Sequence, residues 1–415
     1  MRTIVTIEAL EILDSRGTPS LSVAVTLSDH TRASARVPSG ASTGTYEAVE
    51  LRDGDTTRYA GKGVLRAVQN VERELGPALR GMDAENQRAI DQRMIDLDGS
   101  PNKSRLGANA ILGVSCAVAR AVARSRRMPL WRLLAEMWDL TPRLPVPMVN
   151  ILSGGAHAER RIEFQDFLVI PRGFATLRDS LEAMVRIHRS ARDLLRERHI
   201  DVTGVADEGG WGPAFANNRA AVDLLSSAIV RAGFSPGREF DIAIDVAASH
   251  FRHGEVYRLA SEGRALTRDE MIDLLDEWTQ QYPVAAIEDG LEENDWEGWA
   301  MLTRRLGSRV QLVGDDLFAT NPARLQRGID EGAANAVLVK MNQIGTLTET
   351  FETLRTASSA GYRTIVSARS GETEDSFLAD LAVASGAGQV KIGSLTRSER
   401  LAKYNRLLEI EAREL

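Results

Sequence analysis

From Phe164 onward, short apolar runs rich in β-branched residues alternate with amphipathic stretches of helical length, and nearly every apolar run ends on a charge. The runs are Phe164–Ile170, Asp241–Val246, Val284–Ile287, Val310–Val313, Ala336–Val339, Thr364–Val366 and Val390–Ile392. Between them lie stretches such as Ala220–Gly233, Thr267–Gln281 and Thr346–Gly361. Runs without internal polar alternation are buried on both faces, and helices of this length between them demand parallel pairing. Seven or eight such units fit a closed β/α barrel better than an open sheet, although spacing alone does not exclude the latter. A Pro cluster, Pro142, Pro145 and Pro147, separates this half from a differently patterned one: an alternating strand at Ser20–Leu27, a Gly/Ser-rich loop at Val37–Gly44 and helical segments from about Val64 to Trp138. The expected organisation is therefore an α+β domain over 1–138, a Pro-rich linker over 139–147 and a barrel over 148–415.

In a barrel the residues just past each strand face one pocket. Here they are Asp245, Glu288, Asp315, Lys340, Arg369-Ser370 and Lys391. Three carboxylates from successive strands, with no Cys or His among them, suit a hard divalent cation such as Mg²⁺. The plainer reading makes them capping or surface acids. Lys and Arg total 51, yet only five are Lys, so this chain writes Arg wherever a charge suffices. Lys340 and Lys391 both ending strands thus point to an amine that is needed, one with a lowered pKa as a base and one to hold a carboxylate. Ordinary salt bridges are the alternative. Arg369, Ser370 and Gly371, read as opening a helix, offer a phosphate a guanidinium fork, a hydroxyl and backbone amides. The Ser39–Gly44 loop reads either as a lid bringing hydroxyls to the metal or as a surface turn.

Composition narrows the classes. A net charge of −7 and the absence of a basic run disfavour nucleic acid and acidic membranes as partners. A lone Cys116, with no apolar core of signal length in MRTIVTIEAL, leads us to expect a cytoplasmic protein. A glycosidase using paired acids would want aromatic platforms, and only 5% of the chain is aromatic.

The segments DSRGTPS (Asp14–Ser20), VPSGASTGTYEAVELRDGD (Val37–Asp55), LGANAILGVS (Leu106–Ser115), DEGG (Asp207–Gly210), DVAAS (Asp245–Ser249), GDDL (Gly314–Leu317), KMNQIGT (Lys340–Thr346), RSGETED (Arg369–Asp375) and RSERLAKYN (Arg397–Asn405) give the chain a collinear resemblance to the enolase family. The resemblance implies an N-terminal α+β capping domain, an eight-stranded β/α (TIM-like) barrel with irregular early strands, two Mg²⁺ ions and a homodimer or larger assembly. It implies Lys340 as the base for the proton α to a carboxylate, and Glu208 assisting departure of the β-hydroxyl. Asp245, Glu288 and Asp315 would hold the first Mg²⁺; Ser42 and the substrate phosphate would take the second. Lys391 would meet the substrate carboxylate, and Arg369 and Ser370 the phosphate. Asp166 and His157 fall among the implied catalytic residues, and Gln165 among the substrate contacts; Arg160, where the family has another residue, is a further candidate contact.

The departures from that family cluster near the expected pocket. Ala368 replaces a His, Asp166 a Glu, and Ser153 and Glu159-Arg160 replace positions that include two Asn; Gly290-Leu291 and Ser394-Leu395 also differ. Asp in place of Glu withdraws a carboxylate by about 1.5 Å, a displacement that costs on the order of a hundredfold in rate. The expectation is that Ala368 and Gly290 empty space beside the phosphate clamp, and that Arg160 or Arg161 adds charge. Such a pattern resembles the carboxyphosphonoenolpyruvate-forming branch of the family, which acts on a small phosphorus-bearing hydroxy acid with an extra carboxylate. A housekeeping enolase and a catalytically degenerate binding protein are the alternatives.

Overall fold

The computed structural model describes residues 2–40 and 44–415. In the N-terminal half, β1 (Ile4–Leu13), β2 (Pro19–Leu27) and β3 (Arg32–Arg36) form an antiparallel meander. Alternation in β2 turns Leu21, Val23, Val25 and Leu27 to one fully buried face. That face packs on the Ala-rich helix Ala108–Ser125, which comes so near that a Cβ at Gly113 would lie 2.5 Å from Val23.

The other half is a closed barrel. Its strands are β4 (Val146–Ser153), β5 (Asp166–Pro171) and β6 (Phe240–Asp245), then, after a small antiparallel sheet of β7 (Arg252–His253), β8 (Val256–Leu259) and β9 (Arg264–Leu266), β10 (Val284–Glu288), β11 (Gln311–Gly314), β12 (Ala336–Val339), β13 (Arg363–Ser367) and β14 (Gln389–Gly393). β14 closes on β4 in parallel, while β5 runs antiparallel to both β4 and β6. Small and medium apolar side chains, among them Leu168, Ala243, Ala286, Ala336 and Ile365, fill the barrel interior. The larger core lies between strands and surrounding helices.

Sequence pattern located the parallel strands to within a residue or two but did not reveal β1, β3, β4 or the small sheet of β7, β8 and β9. β4 begins at Val146, within the stretch read as linker, and carries Pro147 as its second residue. A proline there removes one ladder donor at a strand end, where the loss is small.

The two halves dock at the turn after β13. The backbones of Ser39 and Gly371 exchange hydrogen bonds of 2.8 and 2.9 Å. A Cβ on Gly371 would sit 2.3 Å from Asp14 Oδ2 and 2.6 Å from the Ser39 carbonyl, so only glycine fits.

Candidate active site

Each parallel barrel strand delivers its last residues to one mouth, and reversal of β5 brings its first residue there too: Asp166 stands in register with both Ser153 and Asp245. Lys391, on β14, reaches across to Asp245 Oδ2 at 2.8 Å and Glu288 Oε2 at 2.7 Å. One ammonium cannot compensate two buried carboxylates, and burial followed by the charge of Asp245 pushes the Glu288 carboxyl well above its ordinary range. Lys340, just past β12, is ion-paired with Asp315. Burial alone would lower its pKa; attraction to Asp315 outweighs burial and raises it. The expected lowered amine is therefore not what this arrangement of charges produces, because the nearest group is an anion. With the ammonium groups laid across the acids, the remaining cavity is only about 30 Å³.

The chemistry of these donors fits a divalent cation. Asp245, Glu288 and Asp315 offer oxygen only, and Glu288 Oε1 is buried with no hydrogen-bond partner among the described residues, as is Oε1 of neighbouring Gln165. Gln165 also donates to Asp245 at 3.3 Å. Asp289, Asp315 and Asp316 bring ligand atoms within 4.8 Å of one another. Of these, Asp289 already accepts from the backbone N–H groups of Asp315 and Asp316 at 3.0 and 2.8 Å, which makes it the support of the GDDL turn.

A second cluster lies beside these acids. His157 Nδ1 lies 2.8 Å from Asp166 Oδ2, and its Nε2 lies 3.9 Å from Glu208 Oε1. Burial would lower the imidazole pKa, but Asp166 and Glu208 prevail and raise it to about 9. Glu208 in turn is held below the usual carboxylate range: burial raises it, but the His157 and Arg400 charges more than offset this.

Both family descriptions match across this architecture, "Enolase, N-terminal domain" over residues 4–134 and "Enolase, C-terminal TIM barrel domain" over 141–414. The chain belongs to the enolase family. Its barrel, its capping domain and its acid clusters support enolase-type, Mg²⁺-compatible chemistry.

Within this enolase-family site, several expectations change. Ser42 lies outside the described residues. Asp166 is wholly buried and does not line the cavity; it accepts from Asn150 and Ser153 and faces His157, so its contacts are with the imidazole and its neighbours and not with the cavity. Arg160 is exposed, at a left-handed φ of 55°, and does not line the cavity; its charge helps lower His250 after the larger effect of burial. Gly290 does not open the phosphate clamp. A Cβ there would meet Leu275, Ile287 and Leu302 in the helix-facing core. Nor does a helix start at the Arg-Ser-Gly turn: it begins at Phe377, and the Gly371 N–H is spent on Ser39.

Ala368, by contrast, does line the cavity, beside Arg369 and Ser370. Glu47, from the N-terminal half, grips the Arg369 guanidinium through both oxygens at 2.8 and 3.1 Å. Gln343 joins the same network, donating to Asp315 at 2.9 Å. The fully buried Arg400 ties the carbonyls of Arg369, Ser370 and Ile392 together. Glu47, Gln343 and Arg400 sit within conspicuous motifs, yet no spacing rule singles them out, since their partners are distant in sequence.

Proposed function

We propose that this enolase-family protein is a Mg²⁺-dependent dehydratase acting on an analogue of 2-phosphoglycerate with a carboxylate on phosphorus, forming carboxyphosphonoenolpyruvate, a reaction suited to phosphonate antibiotic biosynthesis. Lys340 takes the proton α to the substrate carboxylate; the C–H electron pair becomes the new double bond as the β-hydroxyl leaves as water. Lys391 meets the substrate carboxylate and Arg369 with Ser370 the phosphorus group, so entry of substrate parts the ion pairs described above. Asp245, Glu288 and Asp315 would hold the first Mg²⁺, and Ser42 is read as contributing to a second that arrives with substrate. Mg²⁺, when bound, would supply positive charge to the substrate carboxylate beside the carbon that loses its proton, and would offset the Asp315 charge that holds Lys340 protonated. The proton for the departing hydroxyl resides on His157, with Glu208 between.

The observation that carries the substrate reading is Ala368: only a methyl group stands on the cavity wall beside Arg369 and Ser370. That leaves room for a substituent larger than a phosphate oxygen, and the Arg160 charge at the mouth suits a further carboxylate. The apolar side chains of Val5, Leu10 and Leu13, exposed along β1, support assembly as a homodimer or larger. Among the described residues no helix is long and apolar enough to cross a membrane.

Phosphorus NMR of the purified protein with Mg²⁺, comparing 2-phosphoglycerate with its carboxyphosphono analogue, tests this directly. Preferential conversion of the analogue is expected. Fast, selective turnover of plain 2-phosphoglycerate would assign a housekeeping enolase instead. Ala368→His is expected to move the preference toward the smaller substrate by about tenfold or more, the scale of a steric change in a pocket; an unmoved preference would refute the space argument.

A further inference from the structure

A second concentration of charge, of the opposite sign, lies at the other end of the barrel. Where the parallel strands begin, a cavity of about 710 Å³ opens between the connection Leu140–Val146, the barrel floor and the helix Leu347–Ser359. Small-molecule sites occupy about 300–1,000 Å³, so this volume is that of a ligand pocket. Five arginines line it, Arg143, Arg172, Arg309, Arg355 and Arg363, against a single acid, Asp241. In a chain of net charge −7 this is a local inversion of sign.

Two of the five are neutralised. Arg172 Nε lies 3.1 Å from Asp241, and Arg309 is paired with Asp276. Three are not. Among the described residues the Arg143 guanidinium donates only to the Gly386 carbonyl at 2.7 Å, and that of Arg363 only to Gln311 Oε1 at 3.3 Å. The Arg355 side chain has no hydrogen bond or ion pair among the described residues. These three come from separate segments: the inter-domain connection, the start of β13 and a helix. Like charges gathered this way repel one another and are stabilised by an anion between them; guanidinium forks match phosphate oxygens in particular. Beside them the wall is aromatic. The Trp138 ring is stacked on Phe351 with centroids 3.9 Å apart and planes 13° from parallel, and Phe351 is one helical turn from Arg355.

We propose that the N-terminal end of the barrel carries a second, non-catalytic site for an organic phosphate bearing a flat ring, of which a nucleoside phosphate is the commonest kind. The phosphate group meets Arg143, Arg355 and Arg363, and the ring lies against the Trp138–Phe351 wall. The site is independent of the dehydratase reading, since it lies a strand's length, on the order of 15 Å, from the catalytic mouth.

Titration of the full chain with ATP, in EDTA and at 0.15 M salt, decides it by calorimetry and tryptophan fluorescence together. Saturable binding with quenching is expected. Trp138→Phe should remove the quenching while heat persists. Arg355→Ala and Arg363→Ala, both at exposed side chains, should each weaken binding about tenfold, the effect of losing one charged hydrogen bond. Lys340→Ala, at the opposite mouth, should leave ATP affinity unchanged. Absence of saturation through the millimolar range would overturn the proposal, as would affinity insensitive to both arginine changes. Pyrophosphate binding as tightly as ATP would overturn the part assigned to the ring.

Discussion

Lys340, half-buried just past β12, and Lys391, buried within β14, reach the same mouth yet face different electrostatic demands. Lys391 answers two carboxylates and is held charged, with its pKa well above the ordinary value because Asp245 and Glu288 outweigh burial. Lys340 answers Asp315, whose charge a bound cation would share, and the proposed mechanism makes it the amine that takes the proton. Replacing Lys340 by Ala should therefore lower kcat by about 10²–10⁴-fold, the range for a positioned proton-transfer group. Arg in its place should not restore activity, and steady-state kinetics with circular dichroism as a folding control would check both. His157 gives a pH signature. Its folded pKa, about 9, lies above the unfolded value of about 6.5. Its contribution to stability is therefore fully present below about pH 6.5 and is lost as pH rises through 9. Urea melts of the protein and of His157→Gln in EDTA should differ most near pH 6 and converge by about pH 10. A gap that stays constant across that range would show that the imidazolium is not what Asp166 stabilises.

Reversal of β5 is the element-level event that builds the proton-carrying cluster. A strand in the usual parallel sense would place its first residue at the opposite mouth; running backwards, it sets Asp166 beside Ser153 and within reach of His157. The Asp carboxylate is satisfied by Asn150, Ser153 and His157 in a space with no exposure. The shorter side chain is thus matched to its surroundings, and Asp166→Glu should destabilise by about 1–3 kcal/mol through overpacking. Thermal melts would measure it, and a stabilised variant would contradict this account. Helix Ser398–Arg413 acts in a comparable way: Arg400, in its first turn, fixes three carbonyls behind the Arg369–Ser370 clamp. Arg400→Met should raise KM more than it lowers kcat, since it loosens substrate holding while leaving Lys340 in place.

Across the whole molecule, the catalytic mouth is assembled from both halves, with Glu47 of the capping domain clamped on Arg369 of the barrel. Acid repulsion around Glu288 and Asp316, the latter pushed to about 7 by burial and then by Asp315, is the force a divalent cation relieves. Mg²⁺ should accordingly stabilise the protein by about 2.7 kcal/mol at a hundredfold excess over its Kd. Asp315→Asn should shrink that gain, as seen in melts with Mg²⁺ and with EDTA. The strand-ending acids and lysines were legible because a barrel sends every such residue to one mouth, a rule that needs only local periodicity. So were the parallel strands, whose apolar runs are continuous. β4, masked by Pro147, and the direction of β5 were not, since periodicity carries no sign of strand polarity. Read alone, the chain determined its family, its barrel and the chemical types at the pocket: oxygen ligands, amines and an anion clamp. Only the folded arrangement decided which amine faces which acid, that Asp166 stands behind His157, that Gly290 is core and that five arginines meet at the far end. The reason is physical. Residue type and spacing are properties of a short stretch of chain, whereas charge compensation and packing depend on distances between groups that folding alone brings together.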